Sequence, residues 1–378
     1  MIYFDNSATT AVSEEAAKTA MKYMTDIYYN PSAAYSPAVS IEHEMNAARS
    51  RLASYLNADA SEIIFTSGGT ESNNMAFSGT LRARYGKGRI ITSAVEHPSV
   101  FEPATALKNA GYDVVVVGVD SSGKVRTDEL LNAITENTSL VSIMHVNNEV
   151  GSINDINTLN RLIHQKCPSA VFHVDGVQAF LKRPPVQCDL YSVSGHKLHA
   201  PKGIGLLYAR RGIKFKGGQL GGGQESGLRS GTENIPSILA LDAAAADFYK
   251  HRNEYLSSMS AVKHRLYDNL MNIKDVLLNG PSLDEGVPYI LNMSFLGVRG
   301  EVLLHAVMDK GLLVSTGSAC SARNRGKNRI LSAMGITGER QDGAMRFSFS
   351  HLNTLDEADK AAEIIEDSLK FLRRFKRR

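Results

Sequence analysis

The feature that most constrains the fold is a series of short apolar runs, rich in β-branched residues, that alternate with segments of helical periodicity. Six runs indicate buried strands, at residues 90–94, 113–117, 140–146, 171–175, 190–193 and 204–208. Two helix candidates cover residues 39–56, with apolar side chains at 41, 45, 48, 52 and 56, and residues 155–166. Continuous apolar strands suit a sheet covered on both faces. Their alternation with helices predicts an α/β fold around a large, mainly parallel sheet.

The rest of the chain predicts a smaller second unit. A Gly-rich stretch, residues 217–231, ends the alternation, and a long helix is expected from about Asn234 to about Asn272. Strands near 289–295, 312–315 and 344–349 and a closing helix from Leu355 then indicate an α+β unit. We therefore expect three parts, which are an N-terminal segment (1–14) that packs with the small domain, a large domain (15–250) and a small C-terminal domain (251–378).

Composition narrows the classes of function. The chain has 378 residues, 43% of them hydrophobic, and a net charge of only +3. This balance does not favour a nucleic acid or a membrane as a direct partner, and no apolar run reaches the roughly 18 residues of a transmembrane helix. Three widely spaced cysteines argue against a disulfide framework, and the histidines lack metal-ligand spacing, so we predict no metal site. With no targeting signal at the N-terminus, we expect the reducing cytoplasm.

Ligands of such sheets bind at the carboxyl ends of the strands, and Lys197 stands at one of these ends. It closes the segment 192–197, which reads SVSGHK. A lysine beside a buried strand either lies at the surface or faces a cavity, where an amine of lowered pKa can form a Schiff base. Ser194 and His196, on either side, carry groups able to bind phosphate.

Two further strand ends carry suitable chemistry. Asp175 ends the run 171–175, where it could cap a helix or could keep a pyridine nitrogen protonated. The segment 65–71 (FTSGGTE) joins a strand to a helix through a small-residue turn. Its free backbone N–H groups suit an anion, although ordinary tight turns use the same residues. Singly, a strand-end acid, a strand-end lysine or a phosphate-type turn is weak evidence for a cofactor site. Their combination in one α/β chain is much more specific, and it indicates pyridoxal phosphate (PLP) as the cofactor.

With these residues in place, the chain resembles the cysteine desulfurases, which are PLP-dependent transferases of the aspartate aminotransferase-like fold (fold type I). The most specific matching segments are 5–10 (DNSATT), 66–74 (TSGGTESNN), 96–97 (EH), 145–151 (HVNNEVG), 173–178 (HVDGVQ), 194–197 (SGHK), 201–203 (PKG), 221–232 (GGGQESGLRSGT), 317–321 (GSACS) and 346–348 (RFS). The resemblance implies that the large domain binds PLP and that the small domain carries a catalytic cysteine. It also implies removal of sulfur from L-cysteine, release of L-alanine, and a persulfide passed to an acceptor protein. That acceptor would be an iron–sulfur scaffold or a tRNA-thiolating enzyme.

The resemblance also assigns roles to residues. The catalytic ones would be Lys197 as the Schiff-base lysine, His97 as the residue that stacks on the cofactor ring and moves protons, and Cys320 as the carrier of the persulfide. The cofactor would be bound by Gly69, Thr70, Asn148, Asp175, Gln178, Ser194, His196 and Lys197. Thr232 would reach the phosphate of a neighbouring subunit, which implies a homodimer. Asn148 and Arg346 would bind the substrate.

Several of these residues have a plainer interpretation. His97, just before Pro98, could cap a helix, residues 147–148 could form a turn, and residues 221–223 could be a flexible loop. Arg346 lies in a predicted strand, where an arginine needs an anionic partner. Cys167 and Cys188 are expected to be packed thiols.

Cys320 follows a segment of small residues, 315–319, that is typical of an exposed loop, where a thiol can be reactive. The bases Arg323, Arg325, Lys327 and Arg329 follow it and would favour the thiolate. We expect these bases, with the basic C-terminus (Arg373, Arg374, Lys376, Arg377 and Arg378), to recognise a charged acceptor. The alternative is a solvated loop and a solvated helix end.

The length of this loop, with a helix resuming near 327–335, resembles group I of the family. Group I members usually have a histidine near Tyr35, and such a basic loop is unusual for them. Other functions compatible with these residues are a small-amino-acid aminotransferase, which has no use for Cys320, and a selenocysteine lyase. A third is a catalytically idle binding module of a sulfur-transfer assembly.

Overall fold

The computed structural model of the protein describes residues 1–317 and 328–375. The described strands are β1 (Ile2–Tyr3), β2 (Ile63–Thr66), β3 (Arg89–Ser93), β4 (Val114–Val117), β5 (Thr138–Met144), β6 (Val171–Asp175), β7 (Leu190–Ser194), β8 (Gly205–Ala209), β9 (Val276–Asn279), β10 (Ile290–Phe295), β11 (Leu312–Leu313) and β12 (Ala344–Ser348). The described α-helices are α1 (Glu14–Thr25), α2 (Ser36–Ser54), α3 (Gly69–Ala83), α4 (Pro98–Asn109), α5 (Thr127–Ala133), α6 (Ile156–Lys166), α7 (Ile235–Met271), α8 (Gly300–Met308), α9 (Arg329–Ala333), α10 (Gly338–Asp342) and α11 (Leu355–Leu372). Within the same ranges no helix is long and apolar enough to cross a membrane.

The large sheet has the strand order β2-β8-β7-β6-β5-β3-β4. Among these described strands β8 is antiparallel to both of its neighbours, and the other six share one direction. The central strands β5, β6 and β7 are buried at every position, as expected for a sheet with helices on both faces. The prediction of an α/β fold with a large, mostly parallel sheet is confirmed.

The six strands predicted from apolar runs are β3 to β8, each within two residues of its expected bounds. The predicted helix 39–56 is α2, and the predicted helix 155–166 is α6, which Asp155 caps by accepting from the backbone N–H of Thr158 at 3.1 Å. The predicted long helix is α7, which lies between the capping residues Asn234 and Asn272.

The smaller unit contains the antiparallel sheet β12-β10-β9. Strand β1 pairs in parallel with β11, and Asp5 bridges to Ser348 at the end of β12. The N-terminal residues therefore lie against the small sheet. Helix α7 packs against α1, α2 and α11, and the domain boundary predicted at 250/251 falls inside it.

The Gly-rich stretch is fixed to the large sheet by Glu225. Both carboxylate oxygens of Glu225 accept from Arg49 of α2, at 2.6 and 2.7 Å, and one of them also accepts from the backbone N–H of Phe65 in β2 at 2.9 Å. The Glu225 side chain is only 3% exposed and that of Arg49 only 13%. Around Glu225 the Gly-rich stretch is therefore held against the large sheet and is not a free loop.

We expect Glu225→Gln to lower the free energy of unfolding by about 2 kcal/mol, because it removes a charge-assisted pair and leaves the Arg49 cation buried. Chemical denaturation of the variant and the parent protein measures the difference. The matched control is Glu301→Gln, since Glu301 pairs with Arg299 where both side chains are more than half exposed. Equal losses in the two variants would contradict the anchoring role of Glu225.

Candidate active site

A cleft of about 880 Å³ opens at the carboxyl edge of the large sheet. The turns after β2, β3, β5, β6 and β7 line it, together with the N-terminal segment and part of β12. Ten of the residues predicted from the sequence meet there, namely Gly69, Thr70, His97, Asn148, Asp175, Gln178, Ser194, His196, Lys197 and Arg346. Thr232 is exposed on the Gly-rich stretch and is not part of this lining. Cys320 lies outside the described residues.

The turn between β2 and α3 forms one wall of the cleft. Gly68 has φ of 144°, which only glycine adopts readily. A Cβ on Gly69 would lie 2.6 Å from Val177 Cγ2 and 3.4 Å from Ser194 Cβ, so the start of α3 packs directly on the turns that follow β6 and β7. The first N–H groups of a helix have no helical acceptors. This helix start is therefore suited to an anion beside Ser194 and Lys197.

Asp175 is connected to His97 through two residues that the sequence reasoning did not single out. Asn73 Nδ2 donates to Asp175 Oδ2 and to Ser99 Oγ, both at 2.8 Å. Because Ser99 Oγ accepts that bond, its own hydrogen can donate to His97 Nδ1, 2.7 Å away. The Ser99 backbone N–H donates to the same Nδ1 at 3.1 Å. Two donors on Nδ1 place the proton of the neutral ring on Nε2.

His97 caps a helix, as its plainer interpretation predicts, and its role toward a cofactor stays a prediction. It is the N-cap of α4, as a histidine before Pro98 could be, and it also lines the cleft. Burial lowers the pKa of His97, while the Asp175 carboxylate acts in the opposite direction and Lys197 adds to the lowering. The ring is therefore neutral near pH 7, with a single N–H at Nε2.

The N-terminal segment holds Lys197. Lys197 follows β7 in a short 3-10 turn, and its Nζ donates to the backbone carbonyls of Ser7 and, at 2.7 Å, Ala8. Gln178 Nε2 donates to the Ser7 carbonyl at 3.1 Å. The segment DNSATT thus supplies carbonyl groups to the cleft.

Arg346 projects from β12 into the same cleft and already has an anionic partner. Its Nη2 lies 2.6 Å from Asp5 Oδ1, and its Nη1 donates to the Asn148 carbonyl at 3.0 Å. The Arg346 side chain is 7% exposed, and within the described ranges its Nε has no hydrogen-bond partner. Asp5 was visible in the sequence only as part of the DNSATT segment.

Arg329, one of the bases expected to meet the acceptor, lies at the wall of the cleft. Its guanidinium donates to the backbone carbonyls of Ala94 and Glu96 and lies 3.8 Å from the centre of the Phe101 ring. These contacts hold the half-buried Arg329 side chain against the wall of the cleft. Arg373 likewise donates to three backbone carbonyls, of Leu296, Lys274 and Asp275. The acceptor-binding role of these two arginines stays a prediction, and both also have structural contacts that the sequence did not indicate.

The remaining bases of that prediction, namely Arg323, Arg325, Lys327, Lys376, Arg377 and Arg378, lie outside the described residues, and Arg374 is exposed. Cys167 and Cys188 are both buried, as expected for packed thiols.

The chemistry of the cleft fits PLP. A lysine amine, a carboxylate at a strand end and a helix start suited to phosphate lie around one space. Within the described ranges three buried side-chain oxygens, Asn73 Oδ1, Asn148 Oδ1 and Gln178 Oε1, lack a hydrogen-bond partner. Buried polar atoms are normally paired, so these oxygens indicate a polar group that the cleft is built to receive.

Comparison with known proteins agrees with this geometry. The family model for aminotransferase class-V matches residues 2–360. A cysteine desulfurase of Nostoc sp. is 38% identical over 378 residues, which are 99% of this chain and 94% of that protein. The chain belongs to the cysteine desulfurases of the aminotransferase class-V family. The family and fold expected from the sequence are confirmed.

Other desulfurases and solved structures support the assignment. A NifS/IcsS protein homologue of Lactobacillus delbrueckii subsp. bulgaricus is 40% identical and covers 95% of each chain. A solved structure named as a NifS-like protein superposes with a TM-score of 0.92 at 35% identity, covering 98% of this chain and 99% of that one. A second, titled SspA in complex with cysteine, has a TM-score of 0.82 at 31% identity, covering 92% and 99% of the two chains.

The hydrogen bonds of Asn73 lead to a prediction about the site. We expect Asn73→Ala to weaken PLP binding roughly tenfold, because Asp175 and Ser99 each lose a donor that fixes their orientation. Titration of the cofactor-free protein with PLP, followed by absorbance, measures the affinity. Asn74→Ala is the matched control, since Asn74 is exposed and bonds only within its own helix among the contacts described. Equal affinities for the two variants would argue against the Asn73 connection.

Proposed function

We propose that this cysteine desulfurase binds PLP through Lys197, takes the sulfur of L-cysteine, releases L-alanine and holds the sulfur as a persulfide on Cys320. The observation that supports this most strongly is the meeting of Lys197, Asp175, His97 and Arg346 in one cleft. The similarity to cysteine desulfurases over nearly the whole chain makes that chemistry the one to test first.

Different residues of the cleft would bind different parts of the cofactor. The start of α3, with Thr70, Ser194 and His196, would hold the phosphate, and Asp175 would hold the ring nitrogen. When bound, PLP supplies an electron sink for the carbon that loses its proton. Burial lowers the pKa of His196 to about 4, so His196 would act there as a neutral hydrogen-bonding group.

Other residues would act on the substrate. Arg346 would bind its carboxylate, which would give a partner to a guanidinium whose Nε has none among the described residues. Lys197 would take the proton from Cα, and the carbonyls of Ser7 and Ala8 keep its amine at the wall of the cleft. His97 would donate a hydrogen bond from Nε2.

The sulfur step balances within the chain and its substrate. The Cys320 thiolate attacks the sulfur of the substrate, an S–S bond forms and the Cβ–S bond breaks. The electron pair of the broken bond stays with the substrate carbon, which takes up a proton. Cysteine and the Cys320 thiol thus give alanine and a persulfide, and no external oxidant is required.

We expect Cys320→Ala to form almost no sulfide or alanine from L-cysteine in the presence of dithiothreitol. The same variant should still exchange the Cα hydrogen of L-alanine in D2O at close to the parent rate, since that step needs Lys197 but not the thiol. Lys197→Ala should lose both activities and the visible absorbance band of the bound cofactor. Sulfide assays and NMR of alanine measure the two steps.

Cys188→Ala is the control for the loss of a thiol elsewhere, because Cys188 is buried. Sulfide release by Cys320→Ala at the parent rate would falsify the persulfide role and favour a direct lyase. Alanine formation from selenocysteine but not from cysteine would favour a selenocysteine lyase.

We further propose that the acceptor is a protein of iron–sulfur cluster assembly or of tRNA thiolation in the cytoplasm. Relatives named IscS and NifS, among them a cysteine desulfurase IscS of Methanosarcina thermophila at 37% identity, support the first of these. Arg323, Arg325 and Lys327 remain the bases proposed to meet the acceptor.

A homodimer is proposed as the working form. Thr232 is exposed on the Gly-rich stretch, and Leu220 on the same stretch is 90% exposed. Met21, Met24 and Tyr28, near the end of α1, are more than half exposed as well, and exposed apolar groups of this kind favour burial in an interface.

We expect light scattering to give twice the mass of the chain, and Leu220→Asp to weaken the association because it places a charge in an apolar interface. Val116→Asp, at a half-exposed position of β4, is the control. A parent protein that is monomeric and fully active would contradict the dimer.

A further inference from the structure

The buried carboxylate of Glu149 lies where two distant parts of the cleft wall meet, and the sequence reasoning gave it no role. Its backbone is fixed from both sides. The Glu149 N–H donates to Asn147 Oδ1 at 2.9 Å, and its carbonyl accepts from Asn292 Nδ2 of β10 at 3.1 Å. The side chain therefore starts from a rigid position between the large and the small sheet.

Two residues approach this carboxylate, and they flank the segment 318–327. Asn328 Nδ2 donates to Glu149 Oε2 at 2.7 Å. On the other side, a Cβ on Gly317 would lie 2.7 Å from the same Oε2 and 3.1 Å from Asn328 Nδ2. Gly317 also has φ of 71°, so both its backbone and its close approach to Glu149 require glycine. Residues 317 and 328 are thus brought together at one oxygen atom.

Each of these residues is tied to a part of the site. Ser315 exchanges backbone hydrogen bonds with Arg346, and its Oγ accepts from the Gly317 N–H at 3.2 Å. Asn328 caps α9 through Oδ1, which accepts from the Leu331 N–H at 3.1 Å. On that side, Arg329 holds the turn that leads to His97. The two ends are therefore fixed relative to Arg346 and to His97.

We propose that Glu149 is a positioning residue that fixes both ends of the segment carrying Cys320, so that the thiol is delivered to the sulfur of the bound substrate. This proposal rests on the proposed function, in which Cys320 is the persulfide carrier. The separation of residues 317 and 328 is thereby set by one side chain at the wall of the cleft. The hydrogen bonds described for Glu149 join it to Asn147, Asn292 and Asn328, none of which is assigned to proton removal at Cα, so Glu149 would act on the sulfur step.

An ionised carboxylate at residue 149 would bind the Asn328 amide more strongly than a neutral side chain would. A hydrogen bond from an amide to a carboxylate is about twice as strong as one to a neutral oxygen. Burial raises the pKa of Glu149, while the hydrogen bond from Asn328 and the nearby Arg346 and Arg329 act in the opposite direction. Replacement of Asn328 by aspartate would set two carboxylates against each other, while the aspartate would still cap α9.

The test uses the full chain loaded with PLP and three variants, Glu149→Gln, Asn328→Asp and the double variant. We expect Asn328→Asp to lower alanine formation from L-cysteine about tenfold or more, and Glu149→Gln to lower it a few fold. The double variant restores a charge-assisted bond with the donor and acceptor exchanged. It should therefore be at least about fivefold faster than Asn328→Asp alone.

Exchange of the Cα hydrogen of L-alanine in D2O is the second measurement, and it should stay within about twofold of the parent protein in all three variants. Thermal unfolding of the cofactor-free proteins checks that each variant is folded. Glu129→Gln is the control, since Glu129 accepts from the Gly118 N–H at the far edge of the large sheet and should leave both rates unchanged.

Three outcomes overturn the proposal. Asn328→Asp could keep the parent rate of alanine formation, the double variant could be no faster than Asn328→Asp, or Cα exchange could fall in parallel with alanine formation. Failure of the proposed function looks different, because Cys320→Ala would then release sulfide normally. A Cys320→Ala variant that is inactive, beside an Asn328→Asp variant that is fully active, rejects the role of Glu149 and keeps that of Cys320.

Discussion

The ion pair between Asp5 and Arg346 is the contact on which the arrangement of the cleft depends. A buried arginine without an anionic partner would cost the fold several kcal/mol, and Asp5 meets it at 2.6 Å. The pair holds the N-terminal segment against the small sheet, and the carbonyls of Ser7 and Ala8 then reach Lys197 on the large sheet. An arginine of the small sheet and a lysine in the turn after β7 are thereby joined through one N-terminal segment.

The large sheet adds the second constraint, because its parallel strands end at one edge. The turns after β3 and β7 and the last residue of β6 bring His97, Lys197 and Asp175 to that edge although the chain separates them widely. Hydrogen bonds through Asn73 and Ser99 then orient the acid and the histidine with respect to each other. The positions of these groups thus follow from topology, and their orientations follow from a few polar contacts.

Features encoded locally could be predicted from the sequence, whereas features that depend on tertiary contacts could not. Asp175 ends one apolar run, Lys197 lies shortly after another, and Asn234 precedes the periodic pattern of α7, so the strand ends and the helix start were visible. The direction of β8 could also have been predicted, since residues 195–204 are too few for the crossover between parallel strands. The contacts of Arg329 could not be predicted, because its carbonyl acceptors lie more than 230 residues away in the chain. The connection through Asn73 and Ser99 joins separate turns, which no local pattern specifies.

Helix α7 has 37 residues, which makes it about 55 Å long. Near its start Asp242 pairs with Arg51 of α2, and near its end Asn269 donates to Asp359 of α11. One continuous helix therefore carries contacts to both units of the chain. Insertion of a single residue midway along α7 would turn one end by about 100° relative to the other. The rotation of the α7 residues about the helix axis therefore sets the contacts of both units. An insertion that a surface loop would tolerate would not be tolerated here.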